Sequence, residues 1–170
     1  MDDNVHMLNI VKTILRGFGA VHVIEAKDPN DAFYRLKHEA IDIVILDYVM
    51  GDEDGVAFLR RLRTDKESPT PYVPVIMLTA HSERKRVELA RDAGATEFCA
   101  KPVTAAEMIR KVGAVIDRPR PFVRTDSYFG PDRRRYSDPH FDGEERRKDK
   151  LEAAMQSKKD ATGDGAVTDQ

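Results

Sequence analysis

The chain has no tryptophan, one cysteine, and only seven phenylalanines and five tyrosines among 170 residues. A lone cysteine excludes an internal disulfide framework, and Cys99, set between Phe98 and Ala100, reads as a buried structural thiol to which no chemistry is assigned. No apolar run approaches the roughly 20 residues needed to cross a bilayer. The opening Met1-Asp-Asp-Asn4 lacks the basic flank and apolar stretch of a signal peptide, so the expectation is a cytoplasmic protein that does not enter membranes. An excess of charge of either sign is missing too. The 28 Lys and Arg against 30 Asp and Glu leave −2, which argues against a chain dominated by non-specific nucleic-acid binding. His22, His38 and His140 have no metal-ligand spacing. What is present is 41% hydrophobic content, enough for the core of one ordinary domain plus an extension.

The apolar residues fall into alternating periods. Val5, Leu8, Val11, Leu15 and Phe18 recur at helical spacing, with Gly19 as a stop. Val21 to Ala26 reads as a short strand, and Asp28-Pro-Asn30 supplies turn and N-cap chemistry for a helix to about Glu39. Ile41-Asp-Ile-Val-Ile-Leu-Asp47 is an almost unbroken run of strand formers, the signature of a strand buried on both faces. A helix over Gly55–Arg63 turns Val56, Leu59 and Leu62 inward, and residues 65–72 form a polar loop. Val73 to Thr79 is a second apolar strand. Ser82 caps a charged helix to Ala93, stopped by Gly94, and Thr96 to Ala100 is a last short strand before Lys101-Pro102. Thr104 with Glu107 three positions on has the form of a capping box for a helix carrying Met108, Ile109, Val112 and Ile116. Strands alternating with helices imply an α/β fold, a parallel sheet covered on both faces.

In such a sheet, ligands bind outside the carboxyl ends of the strands. Asp2 and Asp3, Asp47, Thr79 and Lys101 all fall at predicted carboxyl ends, or where one would be. Three carboxylates there repel one another unless a cation joins them, and hard oxygen ligands suit Mg²⁺. A lysine and a hydroxyl beside them make a cradle for a phosphoryl group, with Asp47 as nucleophile.

The acidic pair Asp2-Asp3, the D-x-x-M-x-x-x-D-G run from Asp47 to Gly55, the Leu78-Thr79-Ala80 strand end, and Gly94-Ala95 leading to Phe98 and Lys101-Pro102 together resemble a response-regulator receiver domain of the CheY-like superfamily over residues 1 to about 116. The resemblance implies a doubly wound five-stranded parallel sheet, flavodoxin-like. It implies that Asp47 is the phosphoacceptor, served by a sensor histidine kinase or phosphotransfer protein, or by a small acyl phosphate. It further implies that Asp2, Asp3, Asp47 and the backbone carbonyl of Val49 hold Mg²⁺, Asp2 through water. Thr79 and Lys101 would engage the phosphoryl group, Phe98 would be the switch aromatic, and the bond to Pro102 would be cis. Val49 and His81 would border the path of the hydrolytic water. An apolar Val49 cannot orient that water, so slow autodephosphorylation is expected and no enzymatic turnover of its own.

Two departures stand out. In receivers a central apolar strand precedes the acidic pair, whereas here only Met1 does. Either the chain begins upstream, or another segment or chain repairs the sheet, or the receiver is degenerate; an upstream start is the expectation. Gly51 stands where a proline is usual, loosening the loop after Asp47 in a tolerable way. From about Asp117 the composition shifts to charge with few aliphatics, so a receiver domain over 1–116 is expected to be followed by a charged, partly disordered tail over 117–170. The tail holds a weak echo, Phe129 to Arg134 and Phe141 to Arg147, and a marginal charged helix over residues 144–159. Output is expected through protein binding or phosphorelay, with a homodimer possible and the downstream target open. An adaptor for nucleic acid or the transcription machinery through Arg133-Arg-Arg-Tyr136 and Arg146-Arg-Lys148 is the alternative, though interleaved acids make nucleic acid an unlikely partner. An enzyme acting on phosphorylated metabolites would need a substrate domain of which there is no sign.

Overall fold

Three parallel strands carry the fold: β1 (Val44–Asp47), β4 (Val75–Thr79) and β5 (Glu97–Ala100), in the order β1-β4-β5. The computed structural model describes residues 1–51, 53–80 and 84–133. His81, the Ser82 cap, Arg134 to Tyr136, the second half of the tail echo, the helix expected over residues 144–159 and Arg146-Arg-Lys148 lie outside the described residues.

The register is in step, with Asp47 opposite Leu78 and Thr79 opposite Ala100, so the carboxyl ends of all three strands share one edge. Strand period does the rest of the sorting. Val75 and Met77 point into a large core with Leu46, Leu59 and Leu62, while Ile76 and Leu78 point to the other face, where Val11, Cys99, Met108 and Val115 meet them. The helices that cover those faces begin on local capping chemistry. Asn4 accepts from the amides of His6 and Met7 to open α1 (Val5–Gly17), and Asp28 accepts from Asp31 to open α2 (Pro29–His38). Asp54 caps α3 (Gly55–Thr64), α4 spans Arg84–Asp92, and Thr104 accepts from the Glu107 amide at the start of α5 (Ala105–Asp117). Only half of the expected capping box forms, because the Glu107 carboxylate turns to Arg110 at 2.6 Å.

The segment Val21–Ala26 departs from expectation. It joins no ladder, and among the described residues its one backbone bond to the sheet region is from the Asp2 amide to the Ala26 carbonyl at 3.2 Å. Met1 continues that link: its amino group donates to the Ile45 carbonyl at 2.7 Å, and the Asp47 amide donates to the Met1 carbonyl at 2.9 Å. Met1-Asp2 thus occupies the end of a strand position between β1 and residues 21–26. The rest of that position is a cavity of about 680 Å³, which leaves Ile43 and Ile45 half-buried where the sequence predicts full burial.

Beyond α5 lies an ordered feature that the composition does not suggest. β6 (Phe122–Thr125) and β7 (Tyr128–Pro131) form an antiparallel hairpin, and Met1–Arg133 clusters as one unit. The hairpin is anchored by an aromatic trio, Tyr72, Phe122 and Phe129, with ring centroids 5.1 to 5.8 Å apart. Gly130 lies so close to Gly94 that a Cβ there would meet the Gly94 Cα at 2.8 Å. Beneath it, the buried Arg63 of α3 donates Nε and Nη2 to the Gly94 carbonyl at 3.2 and 3.1 Å and Nη1 to the Pro71 carbonyl at 2.7 Å. Pro71 and Gly94 precede β4 and β5, so the hairpin closes the sheet edge opposite Asp47.

Candidate functional site

Asp47 closes β1 as a residue only 6% exposed, and Asp2, 2% exposed, lies beside it at the end of the Met1-Asp2 stub. Two backbone amides fix these carboxylates before any cation is considered. Tyr48 N donates to Asp47 Oδ1 at 2.8 Å, and Asn4 N donates to Asp2 Oδ1 at 2.9 Å. Lys101, just past β5, joins both: its Nζ lies 2.8 Å from Asp47 Oδ1 and 3.3 Å from Asp2 Oδ2. Thr79 ends β4 buried at the same edge, and its carbonyl accepts from the Lys101 amide at 2.8 Å. The Lys101–Pro102 bond is cis.

Burial pushes the Asp47 carboxyl up, and the Asp2 charge adds to it; the hydrogen bond and charge of Lys101 and the Tyr48 amide pull the other way. For Lys101, burial acts to lower the pKa, but the hydrogen bond and charge of Asp47, then Asp2, outweigh it and hold the ammonium above the ordinary lysine value. Burial lowers the Met1 amino group to about 6, so at neutral pH it adds little positive charge.

The exposed Asp3 completes the acidic set. Carboxylate oxygens of Asp2, Asp3 and Asp47 all lie within 4.8 Å of one another. Three carboxylates against one lysine ammonium leave a local charge of about −2, and an all-oxygen donor set of that charge fits a hard divalent cation such as Mg²⁺. Val49 sits in β2 (Val49–Met50), which pairs with β3 (Glu53–Asp54) in a tight ribbon beside the site, and its side chain is 55% exposed. Gly51 turns that ribbon at φ 51°, a conformation closed to proline, and its ideal Cβ would lie 3.4 Å from Asp3 Oδ2. Its glycine is therefore a requirement of this turn, beyond the looseness expected of it. Phe98 is half-buried and packs against the larger core.

The structure thus brings Asp2, Asp3, Asp47, Thr79 and Lys101 to one edge. It also gives a structural reason for the glycine that ends the D-x-x-M-x-x-x-D-G run. Gly55 donates to the Tyr48 carbonyl at 3.0 Å, and a Cβ there would fall 2.1 Å from the Asp47 carbonyl oxygen. The Asp54-Gly55 pair in the sequence was the available signal.

The family model for the response regulator receiver domain matches residues 1–113. The chain is 34% identical over 118 residues to chemotaxis protein CheY-3 of Vibrio cholerae, covering 69% of this chain and 89% of that one. It is 30% identical over 118 residues to chemotaxis protein CheY of Pseudomonas aeruginosa, covering 69% and 94%. Among solved structures, a putative response regulator from Chloroflexus aurantiacus superposes with a TM-score of 0.62 at 26% identity, covering 69% of this chain and 94% of that one. Vibrio cholerae chemotaxis protein CheY4 superposes with a TM-score of 0.61 at 23% identity, covering 67% and 92%, a likeness of fold. No helix among the described residues is long and apolar enough to cross a membrane. With the acidic cluster and lysine at the carboxyl edge of a flavodoxin-like sheet, these matches establish that the chain belongs to the response regulator receiver domain family of two-component signalling.

Proposed function

We propose that Asp47 accepts a phosphoryl group from a histidine kinase or phosphotransfer protein, in a Mg²⁺-dependent reaction. The observation that carries this reading is the convergence of Asp2, Asp3 and Asp47 with Lys101 at one edge of the sheet. Among the described residues, both hydrogen bonds to Asp47 fall on Oδ1, which leaves Oδ2 for bond formation. An Asp47 oxygen attacks phosphorus, the new O–P bond forms as the donor's N–P bond breaks, and the imidazole nitrogen leaves with the bonding electrons and takes up a proton. Lys101 offsets charge on the aspartate and then on the acyl phosphate, and Thr79 stands at the edge where its hydroxyl can meet a phosphoryl oxygen. Asp3, Asp47 and the Val49 carbonyl, with Asp2 through water, would hold Mg²⁺, which when bound would supply electrostatic neutralisation of the transferring group.

The exposed apolar side chain of Val49 has no group to orient a hydrolytic water, so the acyl phosphate is long-lived and the domain is a regulatory acceptor without enzymatic turnover. Output passes through phosphorylation-dependent protein binding or onward phosphoryl transfer. The test is acetyl phosphate with Mg²⁺, followed by intact-mass measurement. Wild type should gain one phosphoryl group, lost with EDTA and in Asp47→Asn. A label retained in Asp47→Asn, or a phosphoryl lifetime of only seconds, would contradict the reading.

A further inference from the structure

Tyr48 stands between β1 and β2, directly after Asp47, and its amide serves two acceptors. It donates to Asp47 Oδ1 at 2.8 Å and to the Leu78 carbonyl of β4 at 2.9 Å. A hydrogen shared in this way is softly held, because each bond weakens steeply with angle and a small tilt of the peptide favours one acceptor over the other. The side chain of Tyr48 therefore bears on the aim of Asp47. Its ring is buried as part of the larger core, and α4 reaches it from outside that core. Arg86, half-buried in the first turn of α4, places its Cζ 5.6 Å from the ring centroid, within the range of a cation–π contact. The phenol feels the same neighbours: burial raises its pKa most, the Asp54 charge raises it further, and the Arg86 charge lowers it. Arg86 thus joins the start of α4 to the end of β1 through one aromatic ring.

We propose that Arg86 is a positioning residue for phosphoryl transfer: it holds the Tyr48 ring, the ring holds the Tyr48 amide on Asp47 Oδ1, and Oδ2 is kept for the donor. The proposal rests on Asp47 as phosphoacceptor, and Arg86 itself touches no reacting atom. Without the cation the ring rocks, the shared amide drifts toward the Leu78 carbonyl, and Asp47 spends less time aimed at phosphorus. A contact of this kind is worth about two- to fivefold in rate.

Two measurements on the full chain test it. Labelling by acetyl phosphate with Mg²⁺ gives a limiting rate and a half-saturating concentration, and the NMR shift of the Tyr48 amide proton, recorded without any donor, reports its bond to the carboxylate. Arg86→Met keeps the stem and removes the cation. It should lower the limiting rate about two- to fivefold at an unchanged half-saturating concentration and move the Tyr48 amide proton upfield. Arg86→Lys, which keeps a cation over the ring, should restore most of both. On a Tyr48→Leu background, Arg86→Met should bring no further loss. The two Arg86 variants decide the matter even if Tyr48→Leu does not fold. An unmoved amide proton or an unchanged limiting rate in Arg86→Met would overturn the proposal. A loss confined to the half-saturating concentration, which would make Arg86 a distant attractor of the anionic donor, would do so too, as would an equal loss with and without the Tyr48 ring. A wild-type chain that takes no label overturns Asp47 as acceptor and the proposal with it, whereas labelling beside an unmoved amide proton overturns the proposal alone.

Discussion

Replacing Arg63 with methionine sets two buried effects against each other. The residue is 2% exposed, and its three guanidinium nitrogens donate to the Gly94 and Pro71 carbonyls while its Cζ lies 5.0 Å from the Phe122 ring centroid. Methionine keeps the aliphatic stem and removes the donors. The buried Gly94 carbonyl and the part-buried Pro71 carbonyl, left without this partner, cost about 1–3 kcal/mol each, and loss of the cation–π contact adds about 1 kcal/mol. Against that, burial lowers the guanidinium from its ordinary value to about 10, so removing the charge returns about 3 kcal/mol at 1.36 kcal/mol per pKa unit. The carbonyls win by a modest margin, and the expected net loss is about 2 kcal/mol. Urea unfolding of the full chain, followed by circular dichroism because there is no tryptophan to report, measures it. Phosphoryl uptake at Asp47 should persist under native conditions, since Arg63 serves the opposite sheet edge. Arg63→Lys should recover little, because one ammonium cannot reproduce the fork that spans both carbonyls. A stability equal to or above wild type for Arg63→Met would refute the reasoning, showing that the buried charge outweighs the bonds it makes.

Gly55→Ala forces a Cβ into the Asp47 carbonyl, so it should lower stability by about 1–3 kcal/mol and sharply reduce acetyl-phosphate labelling; wild-type behaviour in both assays would contradict the packing. Burial pushes the Cys99 thiol up, so a thiol-disulfide reagent should leave the native chain unlabelled and react fully once urea unfolds it, and prompt native labelling would count against burial. The pKa of Lys101 is raised in the fold, so its contribution to stability is complete below the ordinary lysine value and lost as pH rises through the raised one. The alkaline fall in urea midpoint should therefore flatten in Lys101→Met, and an unchanged slope would show that the pair carries no such linkage.

Much of this molecule is written locally. Asn4, Asp28 and Thr104 cap the helices that their spacing predicts, and the apolar runs ending at Asp47 and Thr79 become the two strands that deliver them. The misreadings concern pairing at a distance. Val21–Ala26 has the residue types of a strand, but a ladder needs a neighbour, and among the described residues Met1-Asp2 alone reaches it by a backbone bond. The hairpin was hidden for the converse reason. Phe122 and Phe129 are sparse apolar residues in a charged stretch, and they become a core only where Tyr72, Arg63 and Gly94, distant in sequence, form their seat. In the site, the residue types were legible, whereas the bond from Lys101 to Asp2 and the tight contact of Gly55 with the Asp47 carbonyl are facts of geometry.

The site also straddles a seam in cooperativity. Asp47, Thr79 and Lys101 hang from three laddered strands whose far edge is closed by the hairpin, while Asp2 and Asp3 belong to a margin tied to the sheet through Met1 and the Asp2–Lys101 ion pair. A margin held by so few bonds is expected to open at a lower free energy than the laddered strands. A cation bridging the acids would stitch one foldon to the other, so part of its binding energy would be consumed in closing the seam. Its affinity would then report the folding of the margin as well as the chemistry of the ligands.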